Sequence, residues 1–253
     1  MGIGDLVVRS GDLVTGWGEL RETADGVWFD PGGWHNLMFT EQPMSRDAVR
    51  LTGADVSAVA TEFGPDGRIP GWATITGVWW GDAIEVRHQS PHRPSPARQG
   101  VWTRPPCPAP AGGWPTGRDG DETGNLTFDL GDLQDTGAAV SVVIFRPGPG
   151  QTVLVVAASD PAAVESRLRP QLGSRLCVVR SRWSKDQLQQ ASAALQQHIH
   201  EWTIRSVGHG AAEDGQASVE AQVLRVRPEL AEWAADLPEG LLRISPVLAP
   251  AAR

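Results

Sequence analysis

Hydrophobic residues follow two different patterns in the two halves of this chain. In the first half they alternate with polar or small residues over short segments, as in residues 72–77, where tryptophan and threonine alternate with smaller side chains. From Ala138 onward they form continuous apolar runs, AAVSVVIF and TVLVVAAS, followed by segments with helical spacing. Alternation is typical of half-buried strands, and continuous runs are typical of strands buried on both faces. The pattern predicts an α+β protein whose first half is all β.

Tight turns separate the strands of the first half. Asp-Gly pairs, which favour hairpin turns, occur at Asp25-Gly26 and Asp66-Gly67, and a third lies later at Asp214-Gly215. Five or six short strands with regular turns predict a small β-barrel, of the size of an oligonucleotide-binding (OB) or SH3-like barrel.

The second half predicts a regular succession of strands and helices. A hairpin of two buried strands comes first, and Asp160-Pro161 then begins a helix as N-cap and first-turn proline. Ser184 and Gln187 form a capping box for a second helix, and a third begins at Pro228. From Arg175 onward the order of elements is β-α-β-β-α-β. We therefore predict a C-terminal ferredoxin-like βαββαβ domain with an extra β-hairpin and helix before it.

These patterns divide the chain into three segments. Residues 1–93 form the predicted barrel, residues 94–137 a strap rich in Pro, Gly and Trp with an acidic loop, and residues 138–253 the α/β sandwich. Trp102 and Trp114 bracket the strap. Because an exposed indole leaves a large apolar area in water, we expect both to be buried and to fix the strap across the seam between the two domains.

Charge argues against nucleic acid and membrane partners. The net charge is −8, and residues 1–93 hold 7 basic and 13 acidic side chains, so this segment alone carries 7 − 13 = −6. Binding to nucleic acid or anionic lipid needs a cationic surface. The chain has one lysine, Lys185, against 21 arginines and no tyrosine. This bias indicates a GC-rich bacterial genome, so the 11 tryptophans alone are no sign of a sugar-binding surface.

The cysteines and the absence of targeting signals suggest a cytoplasmic protein. No run approaches the roughly 20 apolar residues of a membrane helix, and the first residues do not resemble a secretion signal. Only Cys107 and Cys177 occur. In a reducing compartment we expect both to be free thiols.

A basic cluster is the best candidate for binding an anion or an acidic peptide. Arg180, Arg182, Ser184 and Lys185 run from the end of a strand into a helix N-terminus. Free amides and the helix dipole favour an anion there, and guanidinium groups bind carboxylate or phosphate through two hydrogen bonds. The alternative is that Ser184 caps the helix while the arginines face solvent or pair with the acidic front half of the chain.

The helix that follows has an unusual polar side. Gln189, Gln190, Gln196 and Gln197 lie where solvent-facing helices usually carry Glu and Lys. Uncharged amides lose less on desolvation than charges do, so this side predicts a surface for a protein partner or for self-association. A plain solvated face is the alternative.

Metal sites are weakly indicated. His198 and His200 point about 160° apart on a helix and cannot share one ion. His88 and His92 could bind zinc with Cys107, but the three lie far apart in the sequence. Residues 119–130 partly match a calcium loop but end in leucine where a glutamate is needed. We expect no metal or cofactor.

The sequence favours a non-enzymatic interaction module over an enzyme. It has no nucleotide-binding, serine-hydrolase or zinc-protease motif of the kinds GxxxxGK[ST], GxGxxG, GxSxG or HExxH. The predicted function is a cytoplasmic adaptor or assembly module with a protein partner. The alternative is a hydrolase with a site in the cleft between the domains, for which His88, His92, Asp119 and Asp121 are candidates.

Overall fold

We describe the fold from a computed structural model, which defines residues 2–32, 44–59, 71–92, 102–116 and 129–251. In these residues the chain is mixed α+β, with mostly strands and three α-helices. The strands are β1 (Leu13–Thr23), β2 (Gly26–Asp30), β3 (Val49–Thr52), β4 (Trp72–Trp79), β5 (Ala83–Pro91), β6 (Ala139–Phe145), β7 (Val153–Ala158), β8 (Leu176–Arg180), β9 (Ile204–Ala211), β10 (Ala217–Val223), β11 (Leu242–Pro246) and β12 (Leu248–Pro250). The helices are α1 (Pro161–Leu172), α2 (Lys185–Gln197) and α3 (Pro228–Ala235).

The first half closes into a ring of five strands. The order is β1-β2-β3-β5-β4, and β4 pairs back to β1. Strands β3 and β5 are parallel, and the other pairs are antiparallel. Alternate side chains such as Val14, Ile75 and Ile84 fill the interior. The described residues of the first half hold these five strands, a 3₁₀ helix at Ile3–Leu6 and no α-helix, and the predicted hairpin turn at Asp25-Gly26 is confirmed. The turn at Asp66-Gly67 lies outside the described residues.

The second half contains two three-stranded sheets built on the same plan. In each, an antiparallel hairpin leads through a helix to a third strand, which pairs in parallel with the middle strand. The first sheet is β6-β7-β8 with α1 as the crossover, and the second is β9-β10-β11 with α3 as the crossover. Helix α2 connects the two units.

The predicted ferredoxin-like domain is not confirmed. That arrangement needs β8 to lie beside β10 in one sheet, whereas β8 pairs with β7 instead. The physical reason lies in the faces of the strands. Both faces of β8 are apolar, with Val178 on one and Cys177 on the other, and both match apolar faces of β7. One face of β10 is exposed and polar, so pairing there would leave apolar side chains of β8 beside Glu220 and Gln222.

The strap covers one face of the first sheet. Trp102, Cys107 and Trp114 pack against a buried cluster that contains Phe145, Val155 and other residues of β6, β7 and β8. A disulfide joins Cys107 to Cys177 of β8. The free-thiol prediction is therefore wrong. Both indoles are partly buried, and they pack on this sheet and not across the predicted seam between the two domains.

The ends of the strap are tied to the same sheet by hydrogen bonds. Arg146 N donates to Trp102 O at 2.7 Å, next to the end of β6. At the other end Gln151 Nε2 donates to Trp114 O at 2.9 Å. Thr116 forms an isolated bridge with Gln151. The segment is thus a fixed part of the fold along its described length.

The ring sheet is joined to the second half by the C-terminal strand. β12 pairs with β1, with Thr15 opposite Ala249. Leu224 and Leu248 from the second half are buried in the core of the ring. The Arg225 guanidinium lies 5.1 Å from the centre of the Trp79 ring, in cation–π contact. The sequence segments 1–93 and 138–253 therefore share one core, although the division itself stays a prediction.

Local capping signals are confirmed in the structure. Ala163 N donates to Asp160 Oδ1 at 3.1 Å, at the start of α1. At α2, Gln187 N donates to Ser184 Oγ at 3.1 Å while Ser184 N donates to Gln187 Oε1 at 2.8 Å. Of the helices in the described ranges, none combines the length and apolar character that a bilayer crossing needs.

Candidate functional site

The four residues of the basic cluster each have a partner inside the protein. Arg182 forms an ion pair with Asp214 at 3.0 Å, and Lys185 Nζ donates to Gln134 O at 2.8 Å. Ser184 Oγ is the cap of α2, and Arg180 Nη1 lies 3.4 Å from Ser159 O. Ser184 caps α2 as in the alternative, but Arg182 pairs with Asp214 of the second half and not with the acidic front half. Binding of an anion or acidic peptide there stays a prediction.

The predicted glutamine surface is divided between two sides of α2. Gln189, Gln190, Gln196 and Gln197 are all exposed, as expected. Gln189 and Gln196 are seven residues apart and share one line along the helix, while Gln190 and Gln197 share another. Of the four, only Gln190 lines a groove, beside Gln187.

The groove between α2 and α3 is the feature with the clearest capacity to bind a partner. It has a volume of about 290 Å³ and is open to solvent. Its apolar surface comes from Trp233 and Leu237 near α3 and from two alanines of α2, and its rim carries glutamine amides. The lining residues are Gln187, Gln190, Ala191, Ala194, Trp233, Leu237, Pro238 and Leu241.

The two chain segments on either side of the groove differ in charge. Residues 187–197 on the α2 side contain no charged side chain. Residues 228–242, which hold α3 and the segment after it, contain four carboxylates and no lysine or arginine, namely Glu229, Glu232, Asp236 and Glu239, all exposed. None of these four carboxylates lines the groove, and Glu229 is already paired with Arg227 at 3.4 Å. The groove therefore combines an apolar floor with neutral amides, and the carboxylates lie on the exposed surface beyond it.

The wall formed by Gln187 is held in place before any partner arrives. Its side chain accepts a hydrogen bond from Ser184 N, which completes the capping box. On the other side Trp233 packs against Trp202, with ring centres 5.2 Å apart. Trp202 in turn stacks on His198 at 4.2 Å. Ordered walls reduce the entropy that binding has to remove.

Another open space lies between the strap and the turn of the second sheet. It has a volume of about 530 Å³ and is lined by Thr103, Arg104, Pro106, Glu213 and Asp214. Its lining residues are exposed, four of the five carry polar or charged side chains, and Asp214 is already paired with Arg182. Pro106 is the one apolar residue among them.

The candidate catalytic residues do not converge in the described parts of the chain. His92 stacks on Trp17 at 5.1 Å and lies 3.0 Å from Thr74 Oγ1, on the outside of the ring sheet. His88 is exposed on β5. Asp119, Asp121 and the other residues of the calcium-like loop up to 128 lie outside the described residues. The hydrolase remains a hypothesis without a geometric observation behind it.

The zinc site that includes Cys107 is ruled out by the disulfide, because a thiolate is required for coordination. Within the described ranges, no group of three or more His, Cys, Asp or Glu side chains is placed to hold a metal. His198 instead forms a contact of 2.7 Å with Glu201, and His200 Nδ1 lies 2.8 Å from Arg46.

Buried charges occur where the ring meets the second sheet. Arg205 of β9 donates to Pro31 O at 3.1 Å and lies 3.9 Å from Asp47. Burial lowers the pKa of Arg205. Burial acts to raise the pKa of the fully buried Asp30, but hydrogen bonds from Ser45 and Gly32 and the charge of Arg21 together hold it below its ordinary value. These groups stabilise a contact between two parts of the fold and do not line the groove.

Sequence reasoning did not find the groove or the disulfide. The glutamines of α2 indicate the neutral wall of the groove. The sequence does not specify that α3 packs beside α2. The disulfide joins residues 70 apart in sequence, and its one sequence signal was the position of Cys107 between two indoles on a proline-rich segment. No protein-family model matches the sequence, and no curated protein or solved structure is significantly similar to it.

Proposed function

We propose that this protein is a non-enzymatic interaction module that binds a segment of another protein in the groove between α2 and α3. The observation that carries the proposal is the partly exposed apolar floor formed by Trp233 and Leu237 beside an uncharged amide wall. Partly exposed aromatic side chains in a concave surface are typical anchors for peptide segments.

The charges on the surface around the groove indicate which kind of partner segment we expect. Residues 228–242, which hold α3, carry four exposed carboxylates and no lysine or arginine, so we expect the preferred segment to be amphipathic, with apolar residues facing the floor and Lys or Arg toward α3. The small volume, about 290 Å³, accommodates the apolar side chains of about one helical turn. We therefore expect a transient complex, with a dissociation constant in about the micromolar range.

We further propose that the ring sheet is a barrel of the OB type that serves as the scaffold for this module. The strand order β1-β2-β3-β5-β4 with parallel β3 and β5 supports this assignment. In the compartment where it works the disulfide must persist. Because disulfides form and persist in oxidising compartments, we propose an extracytoplasmic location in place of the cytoplasmic one expected from the sequence.

The test uses a synthetic helical peptide of leucine and lysine arranged with one apolar and one basic face. Fluorescence anisotropy measures its binding to the full chain and to Ala194→Arg, which places a long cationic side chain in the groove. We expect the variant to weaken binding by at least tenfold. Ala193→Arg is the matched control, because Ala193 is the neighbouring exposed residue of the same helix and does not line the groove.

A scrambled peptide of equal composition separates groove binding from general attraction to an acidic protein. The proposal fails if the scrambled peptide binds equally well, or if both arginine variants reduce binding to the same extent. Sedimentation velocity without peptide identifies self-association. A dimer that Ala194→Arg dissociates and Ala193→Arg does not would place a second copy of this chain in the groove.

A further inference from the structure

A row of aromatic rings lies on the outer surface of the ring sheet, away from the groove. Trp17 of β1 stacks on His92, with ring centres 5.1 Å apart and planes within 12°. Trp72 of β4 lies 5.4 Å from Trp17 at a tilt of 35°. Because β1 and β5 lie on opposite sides of β4, the indole of Trp17 and the imidazole that follows β5 meet above β4. The three rings form a continuous aromatic surface.

Trp17 is unusually exposed for a residue in the middle of a strand. Its side chain is 44% exposed, whereas Trp79 on β4 is 3% exposed in the ring core. The neighbouring His92 is oriented by the contact of 3.0 Å between its Nδ1 and Thr74 Oγ1. The platform is therefore fixed on paired strands while one of its rings remains open to solvent, which is the arrangement expected for a preorganised binding surface.

Neutral hydroxyl groups lie beside the rings. Thr15 and Thr76 occupy facing positions of β1 and β4 on the same outer face as Trp17. Thr76 Oγ1 donates to Thr15 Oγ1 at 3.3 Å, and Thr15 Oγ1 donates to Ile75 O at 3.2 Å. A ligand on this surface would meet an apolar aromatic face and, next to it, groups that exchange hydrogen bonds without charge.

In the part of the chain that the structure describes, two arginines of the ring strands are paired. Arg21 forms an ion pair with Glu19 at 2.8 Å, and Arg87 forms one with Glu85 at 3.0 Å. Residues 1–93 carry a net charge of −6. A polyanion such as single-stranded nucleic acid depends on available cations for its affinity, so the surface disfavours it. It favours a ligand that is flat, rich in hydroxyl groups and uncharged.

We propose that this platform binds a neutral saccharide. One side of a pyranose ring presents C–H groups with partial positive charge, which pack on the negative face of an indole, while its hydroxyl groups reach the threonines and His92. The platform does not depend on the groove between α2 and α3.

The experiment is isothermal titration of the full chain with neutral oligosaccharides of the cellulose, starch and mannan types, and with oligo(dT). We expect at least one saccharide to bind, and Trp17→Ala to weaken that binding by roughly 30-fold or more, as for a central aromatic contact. Trp80→Ala is the matched control, because Trp80 is 54% exposed and lies in the turn after β4. It should bind as the unaltered chain does.

Hydroxyl-radical footprinting of the unaltered chain gives an answer even if Trp17→Ala fails to fold. The bound saccharide should protect Trp17 from oxidation and leave Trp80 unprotected. The proposal is overturned if none of the saccharides binds, if bound saccharide protects Trp80 and not Trp17, or if oligo(dT) binds through Trp17 while the saccharides do not.

Discussion

The two three-stranded sheets share a plan but are covered differently. In the first sheet all six residues of β7 are buried, because α1 covers one face and the strap covers the other. In the second sheet only one face of β10 is packed against helices, and Glu220 and Gln222 on the other face are exposed. The strand sequences show this difference, because VLVVAA of β7 is entirely apolar, whereas ASVEAQV of β10 includes the polar residues Glu220 and Gln222.

Apolar surface is fully covered on the first sheet and remains partly exposed between the helices of the second sheet. A strand that is apolar on both faces needs two covers, and here the second cover is a proline-rich segment fixed by a disulfide. In the second sheet only one face has to be covered by helices. A groove with an apolar floor remains between the two helices that pack there. The closed region stabilises the fold, and the open region is available for binding.

The largest effect that would sharpen this contrast comes from breaking the disulfide. Its loop spans 70 residues, for which the loss of chain entropy in the unfolded state stabilises the fold by about 4 kcal/mol. Reduction of the unaltered protein should lower the free energy of unfolding in urea by about that amount. Cys107→Ala with Cys177→Ala should do the same and become insensitive to reductant. A loss below about 1 kcal/mol would mean that the strap contributes little as a cover.

The next effect compares equivalent middle strands. Val155 of β7 is fully buried under the strap, whereas Gln222 of β10 is exposed. Val155→Ser should lower the free energy of unfolding by about 3 kcal/mol, since it removes apolar contacts and buries a hydroxyl. Gln222→Ser should change it by less than about 0.5 kcal/mol. Equal losses in urea unfolding would remove the distinction between the sheets.

A smaller effect tests the contact between the β9–β10 turn of the second sheet and β7 of the first sheet. Gly150 and Gly215 lie in the corresponding hairpin turns with φ of 66° and 75°. A Cβ at Gly215 would lie 2.7 Å from a methyl of Val155, whereas nothing lies within 4 Å at Gly150. Both changes to alanine introduce backbone strain, but Gly215→Ala should cost about 2 kcal/mol more. Equal melting temperatures for the two variants would show that the turn does not pack against β7.

The smallest effect concerns pH and the polar contact between ring and second sheet. The pKa of Asp30 is below its ordinary value in the folded protein, so its contribution to stability is present above the unfolded pKa of about 3.9 and is lost as pH falls through the folded pKa. The free energy of unfolding should therefore fall more steeply below about pH 4 in the unaltered protein than in Asp30→Asn. Identical slopes would show that Asp30 titrates as it does in the unfolded chain.

Local features of the fold could be predicted from the sequence because they depend on neighbouring residues. The first hairpin, the cap at Asp160 and the capping box at Ser184 are all present. Each of these signals is complete within a few positions.

The remaining features depend on contacts between distant residues. The apolar pattern of β8 fits a strand buried on both faces, but it does not specify whether β7 or β10 is the neighbour. Strand β12 is only three residues long, and its place in the ring depends on pairing with β1. For the candidate site, the glutamines of α2 marked one wall, whereas the apolar floor arises only where α3 packs beside α2.

The contrast between closed and open apolar surface can be tested in one spectrum, because the 11 indole N–H groups report on separate places in the fold. The measurement is an NMR titration of nitrogen-labelled protein with the amphipathic leucine–lysine peptide. The account predicts that the indole signal of Trp233 in the groove moves, while the signals of Trp102 and Trp114 in the strap stay in place. Movement of the strap signals without Trp233, or no movement at saturating peptide, would contradict it.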